Sequence, residues 1–259
     1  MNEITILTWS QYLLFAENHG AKIEYLSNGV NYSAPLLPPG TSIYTWQSFS
    51  NFQNTRANGS LPLLKSGLTY QIVTNLVAQP ADSVYLKITT YNDAGLILQE
   101  ILLAHTGGTF EYSAQASRYQ IQLIATTNQQ LHFNYLALGL ASQLATTELQ
   151  ISPDLLTTGL LTDQATMVDI YVGRRNSGSW SIPVTSQHQQ LFLRIEDQYY
   201  QEPEQQANQL IKRINQFMAA HPNLKDLPLN IKAIGYPLTE LVSILKTQLK
   251  PQTLDNHTF

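Results

Sequence analysis

The chain has 259 residues, enough for one large core or, as the preferred division, for two domains of roughly 100 to 150 residues. Only 12% of its residues are charged and the net charge is -4, which leaves no electrostatic footprint for nucleic acid or for an anionic membrane surface. Cysteine is absent, which excludes disulfide staples and thiolate ligands. Met1 to Ser10 lacks the basic and apolar regions of a signal peptide, so the expected compartment is the cytoplasm.

The first informative block is Pro35 to Ser48. A stiff Pro38-Pro39-Gly40 turn leads into a strand carrying Tyr44 and Trp46, and a second proline-anchored segment, Leu61 to Leu64, begins the next strand. Two large aromatics on rigid backbone form either a binding surface or an aromatic core corner. As a surface, Tyr44 and Trp46 beside Gln47 and Asn51 would stack on a sugar ring, with Arg56 as a positioning or partner-contact residue. As a core, the same rings would fill the interior. Trp9 and Tyr12 would extend such a surface or fill the first strand pair, and Phe49 and Phe52 would add to it.

From there the pattern has period two. Thr69 to Ala78, Ser83 to Asn92, Arg118 to Thr126 and Gln130 to Leu138 alternate their side chains, and turn signals at Asn92 to Gly95, Thr106 to Gly108 and Asn128 to Gln130 separate them. Short strands at such spacing predict an antiparallel, jelly-roll-like β-sandwich over residues 1–142. The run Leu96 to Ala104 is far short of the about 20 apolar residues of a membrane helix, so any membrane contact is expected to be peripheral, at the inner face of the membrane.

The second half reads differently. Glu148 to Gln164 is apolar without clear periodicity, and 143–165 is taken as a linker or docking segment. Strands follow at Met167 to Arg174 and Gln190 to Glu196. A helix opened by Glu202-Pro203 then presents Leu210, Ile211, Ile214, Phe217 and Met218 on one face and stops at His221-Pro222. After a strand from Leu229 to Ile234, a last helix carries Leu238, Leu241, Val242, Leu245 and Leu249. Residues 166–259 are therefore expected to form a smaller C-terminal α/β domain.

No catalytic constellation stands out. Gly235-Tyr236-Pro237 sits where a G-x-S-x-G nucleophile elbow would, but proline occupies the nucleophile position. The histidines at 19, 105, 132, 188, 221 and 257 show no ligand spacing, and Glu196-Asp197 reads as a solvated strand end, so neither a metal nor a cofactor is expected. Arg174 to Gly178 offers two cations and backbone amides to an anion, although a hairpin turn explains it equally well.

The L-x-P-P-G-T-x-I-x-T-W-x-S block at Leu36 to Ser48, Arg56, the L-P-L-L-K-x-G-x-T-Y block at Leu61 to Tyr70, and Ser83 to Ile88 resemble the third accessory secretory protein of the accessory Sec system of Gram-positive bacteria, in a long form as in lactobacilli. The resemblance covers a little over half of the chain and leaves the α/β tail unaccounted for. It implies a sandwich similar to carbohydrate-binding modules and a non-catalytic cytosolic component that assembles with two sister accessory secretory proteins and an accessory SecA ATPase. It further implies binding of the unfolded serine-rich repeat adhesin, with its O-linked glycan. A stand-alone carbohydrate-binding module is the alternative, and a degenerate hydrolase is less favoured.

Overall fold

The computed structural model describes residues 3–10, 20–50, 59–127, 130–175, 179–185, 187–196, 202–235 and 238–249. In chain order the first elements are β1 (Glu3–Leu7), β2 (Lys22–Leu26), β3 (Gly29–Ser33), β4 (Ser42–Gln47), β5 (Leu68–Gln79) and β6 (Val84–Tyr91). There follow β7 (Ile97–Ala104), β8 (Gly107–Tyr112), β9 (Arg118–Ala125), β10 (Gln130–Leu140) and the single turn α1 (Ala141–Leu144). The remainder comprises β11 (Glu148–Ile151), β12 (Thr157–Leu161), β13 (Met167–Arg174), β14 (Ser179–Pro183), β15 (His188–Ile195), α2 (Pro203–Ala220), β16 (Leu229–Ile234) and α3 (Thr239–Leu249). The chain divides into two compact units, one of Met1–Leu144 with Asn176–Ser181, the other of Ala145–Arg175 with Ile182–Phe259.

The first unit is built on one sheet of eleven strands, ordered β14-β1-β10-β5-β8-β7-β6-β9-β4, with the β2–β3 hairpin attached to β10. Antiparallel pairing dominates; β2–β3, β6–β7 and β7–β8 are hairpins of successive strands, and the other neighbours are strands distant in sequence. Strand β9 shows the physical logic: Tyr119, Ile121 and Leu123 are buried while Gln120 and Gln122 reach toward solvent. At the β7–β8 hairpin the two strands share only the Ala104–Gly107 pair, and there the sheet turns a corner. It curls until rings from distant strands meet, Trp46 of β4 lying 5.4 Å from Phe133 of β10. The sandwich expected for this half is therefore a single curled sheet closed over one apolar core.

The blocks that carried the family resemblance hold this curl together. Gly40, at φ +83, donates its N–H to Ala125 O at 2.7 Å, which docks the Pro-Pro-Gly turn on β9. The Tyr119 hydroxyl donates to Pro62 O at 2.7 Å, and Lys65 N–H donates to the Tyr70 hydroxyl at 2.8 Å, so the Leu61 to Tyr70 segment is pinned by buried tyrosines.

In the second unit five strands pair in the order β11-β12-β15-β13-β16, with β13 parallel to both β15 and β16. The segment read from sequence as a linker thus carries two strands. Glu148–Ile151 and Thr157–Leu161 form a hairpin whose second strand pairs with β15. One face of this sheet buries Val168, Ile170 and Val172 with Leu191 and Leu193 against Ala207, Leu210 and Ile214 of α2 and Leu241 and Leu245 of α3. Pro203 starts α2 without forfeiting a needed amide, Glu204 favours its N-terminal turn, and Pro222 follows its end. Among the described residues no helix is long and apolar enough to cross a membrane.

Candidate functional site

Of the two readings open for Tyr44 and Trp46, stacking surface or core, the rings take the core one. Tyr44 and Trp46 are both 0% exposed, and with Trp9, Tyr32 and Phe133 they make a chain of rings with centroids 4.6 to 6.3 Å apart. The Trp46 indole N–H donates to Thr8 O at 3.3 Å, and Ser10 N–H donates to the Tyr44 hydroxyl at 3.2 Å. Burial pushes the Tyr44 phenol well above its ordinary pKa, as a desolvated hydroxyl requires. Gln47 is also buried, and its backbone carbonyl accepts the N–H groups of Ser60 and Leu61. The reading of Tyr44, Trp46 and Gln47 as ligand contacts is therefore corrected: the curl of the sheet turns the shared face of Tyr44 and Trp46 inward and leaves no face of either ring for a ligand, and Gln47, on the other face of β4, is 6% exposed. Asn51 and Arg56, with Tyr12 and Phe52, lie outside the described residues.

The opposite side of the same strands carries a different arrangement. Because side chains alternate along a strand, burial of Tyr32 and Val30 in β3 and of Phe133 and Leu131 in β10 turns Asn31, Ser33, Gln130 and His132 outward. The registers then align them in two rows across four strands. Lys22 of β2 stands by Ser33, which stands by Gln130, which stands by Gln79 of β5. In the next row Glu24 pairs with Asn31, Asn31 with His132, and His132 with Val77. These residues line a groove of about 400 Å³.

Two local features shape it. The register of β10 against β5 shifts between Phe133 and Tyr135, and such a bulge bends the strand and sharpens its twist. Against that bend the β2–β3 hairpin sits close, which Gly29 permits: its φ is +152, and an added Cβ would lie 2.3 Å from Phe133 O. Gly29→Ala should cost about 1 to 2 kcal/mol through this strain and loosen the hairpin. Amide exchange should then quicken in β2 and β3 while β9 keeps its protection. Equal protection of β2 in variant and parent would show that the hairpin does not rest on this contact.

Within the groove the polar groups are already ordered. Asn31 Nδ2 donates to Glu24 Oε2 at 3.2 Å, and Asn31 Oδ1 lies 2.6 Å from His132 Nδ1. An amide oxygen can only accept, so His132 Nδ1 carries the hydrogen in this bond and donates it. From the sequence alone His132 reads as a surface or packed residue of the final strand rather than a site, Asn31 only begins an unweighted Asn-Tyr-Ser match, and Lys22 and Glu24 give no signal. The signal that could have found them is Asn28-Gly29 between two alternating runs, a hairpin signature.

A second polar cluster lies in the α/β unit. Asp169, on the sheet face away from the helices, has a side chain only 3% exposed. It accepts from His188 Nδ1 at 2.8 Å, Asn230 Nδ2 at 2.6 Å and Lys232 Nζ at 3.3 Å. Burial pushes its pKa up, but the hydrogen bonds from His188 and Asn230 and the Lys232 ammonium outweigh it and hold the carboxyl below its ordinary value. Of the other sequence candidates, Glu196 pairs with Arg175 at 3.3 Å, as a solvated strand end would. Asp197, Tyr236 and Pro237 lie outside the described residues.

Comparison with known proteins places the first unit. Residues 16–139 match the family described as accessory Sec secretory system ASP3. The accessory Sec system protein of that name from Staphylococcus aureus is 28% identical over 137 residues, 53% of this chain, and the match spans only 43% of the relative's own length. Its counterpart from Streptococcus gordonii is 28% identical over 47% of this chain and 77% of the relative. Among solved structures, a chain of the Glycosylation Associate Protein (Gap123) complex from Streptococcus agalactiae is 26% identical with a TM-score of 0.51, covering 90% of this chain and 71% of that one. Accessory secretory protein 1, 2 and 3 of Streptococcus pneumoniae gives 28% identity, 52% and 94% coverage and a TM-score of 0.49. Over residues 16–139, just under half of its length, the chain is thus similar to the accessory Sec secretory system ASP3 family.

Proposed function

We propose that the chain is a non-catalytic, cytoplasmic component of an accessory Sec export machinery, where it joins two sister accessory secretory proteins into one complex. The observation that carries this reading is the family match over residues 16–139 together with the likeness, over 90% of the chain, to a protein solved as part of the Gap123 complex. Because that likeness extends beyond the first unit, the α/β unit is taken as part of the same working molecule. In this reading the complex hands an unfolded, glycosylated serine-rich repeat adhesin to an accessory SecA ATPase, which supplies the energy of transport.

The role asks for surface and shape from this chain. The aromatic residues with the strongest sequence signal serve the core, which fits a scaffold whose motif specifies the fold. Co-expression of the full chain with the two sister proteins of its own organism tests the proposal. Size-exclusion chromatography with light scattering should show one species of the summed mass, containing all three. Elution of this chain at its own mass in the presence of both would overturn the assignment.

A further inference from the structure

We infer that the α/β unit, where the end of β15 meets the first turns of α2, holds a binding site for the phosphoryl group of a small phosphate ester. A cavity of about 100 Å³ lies there, lined by Arg194 and Glu196 of the strand end and by Gln206, Gln209 and Arg213 of α2. Whole small molecules occupy sites of about 300 Å³ and more, so this one takes a single group and leaves the rest of its bearer outside. Strands β13 and β15 are parallel and finish side by side, Arg174 beside Ile195, and ligands of open α/β sheets sit beyond such carboxyl ends.

Arginine is scarce in this chain and gathers here. Of six in the sequence, Arg174, Arg175, Arg194 and Arg213 belong to this unit. Arg175 donates its backbone N–H to Ile195 O at 2.8 Å and pairs with Glu196 at 3.3 Å, Arg213 pairs with Asp154 at 2.8 Å, and Arg194 Nη1 donates to Leu155 O at 3.3 Å. Three guanidinium groups thus stand against two carboxylates, while Glu202 and Glu204 at the start of α2 are exposed and off the lining. Arg194 is only 3% exposed, and its burial and the nearby Arg175 draw its pKa down to about 9. A bound anion would relieve both the lost hydration and the repulsion.

The donor set selects the anion. Gln206, Gln209 and Arg213 recur at helical spacing on one face of α2, and Arg194 comes from the sheet, so the donors reach the cavity from two elements. A carboxylate has two oxygens in one plane and suits a single guanidinium fork. A phosphoryl group offers three oxygens and up to two charges, which donors on two elements can share. The wall is already in place: Arg194 N–H donates to Leu156 O at 2.8 Å, and Leu155 is held buried at φ +59, where a leucine seldom sits, with its carbonyl on the guanidinium.

The test uses the full chain alone, labelled with nitrogen-15 and titrated at constant ionic strength with glycerol 3-phosphate. Inorganic phosphate serves as competitor, and acetate and glycerol as comparison probes. Glycerol 3-phosphate should shift the amide signals of Leu156, Ile195, Glu196 and the first turns of α2 saturably, and inorganic phosphate should displace it. Arg213→Gln should weaken binding about tenfold and Arg175→Gln about threefold, as loss of one guanidinium from a shared anion requires. Both arginines sit in partly exposed ion pairs whose loss costs little stability, so the variants should keep the parent's spectrum elsewhere. Lys212→Gln removes the same charge from α2 outside the cavity and should leave binding unchanged. No saturable shift with glycerol 3-phosphate, equal binding of acetate or glycerol, undiminished binding in both arginine variants, or an equal loss in Lys212→Gln would each overturn the inference. None of these outcomes bears on whether the sister proteins assemble.

Discussion

Replacement of Trp46 by alanine should destabilise the first unit by about 3 to 5 kcal/mol, the range for removing a buried large aromatic from a packed core. The side chain is 0% exposed, touches the rings of Tyr44 and Phe133 at 4.6 and 5.4 Å, and donates its indole N–H to Thr8 O. Alanine would leave a cavity between β4 and β10 and an unmet carbonyl, and curled sheets relax poorly because every strand is hydrogen-bonded to neighbours. The three tryptophans, Trp9, Trp46 and Trp180, all belong to the first unit, so fluorescence from the remaining two still reports its unfolding. Denaturation followed by fluorescence should move to much lower denaturant. A variant as stable as the parent would mean that Trp46 stands outside the core after all.

Asp169→Ala should have the second-largest effect, a loss of about 2 to 3 kcal/mol from the α/β unit, because three donors then face a site without an acceptor. The loss stays below that of a fully buried ion pair, since His188 and Lys232 are 31% and 48% exposed and can turn to water. The carboxyl's pKa is lower in the folded protein than in the unfolded chain, so the unfolded chain takes up the proton first as pH falls. Its stabilisation is complete above the ordinary carboxylate range of about pH 4 and disappears as pH drops through the folded value. Far-UV circular dichroism reads this unit, because α2 and α3 lie there and, among the described residues, the first unit has only the single turn α1. The parent's helical transition should weaken with acid more steeply than that of the variant. Identical acid profiles would falsify a charged Asp169 at the centre of the cluster.

Legibility in the sequence followed the strength of local pattern. Strands β5, β6, β9 and β10 and helices α2 and α3 announced themselves through alternation or helical spacing, because each buries one face against one core. Where two signals collided the reading failed. Glu148 to Leu161 looked aperiodic because a polar turn at Ser152 to Leu156 interrupts two apolar strands, with Asp154 accepting Leu156 N–H. In β10 the inward positions run Leu131, Phe133, then Leu136, Leu138, a change of phase that one bulged residue produces and no single period describes.

The misplacement of Tyr44 and Trp46 has another origin. Alternation says that two side chains share a face, but which face looks inward depends on how the far end of the sheet curls back, a long-range fact. The groove residues were missed for the complementary reason. Lys22, Glu24, Asn31 and His132 are scattered over more than a hundred positions, ordinary one by one, and become a site only through the registers that align them. A motif recognised by its density of proline, glycine and tryptophan marked the scaffold, while the surface it holds had no motif.

Residues Ser179–Ser181 of β14 belong to the first unit although the chain reaches them only after building β11, β12 and β13 of the second. During synthesis, domains usually close one after another from the N-terminus. Here the edge of β1 must wait, unprotected on that side, until the ribosome has added residue 181, because β14 is its neighbour there. The two units therefore emerge interleaved in time, and a nascent chain stalled between residues 144 and 176 would hold a nearly finished sheet with one sticky edge.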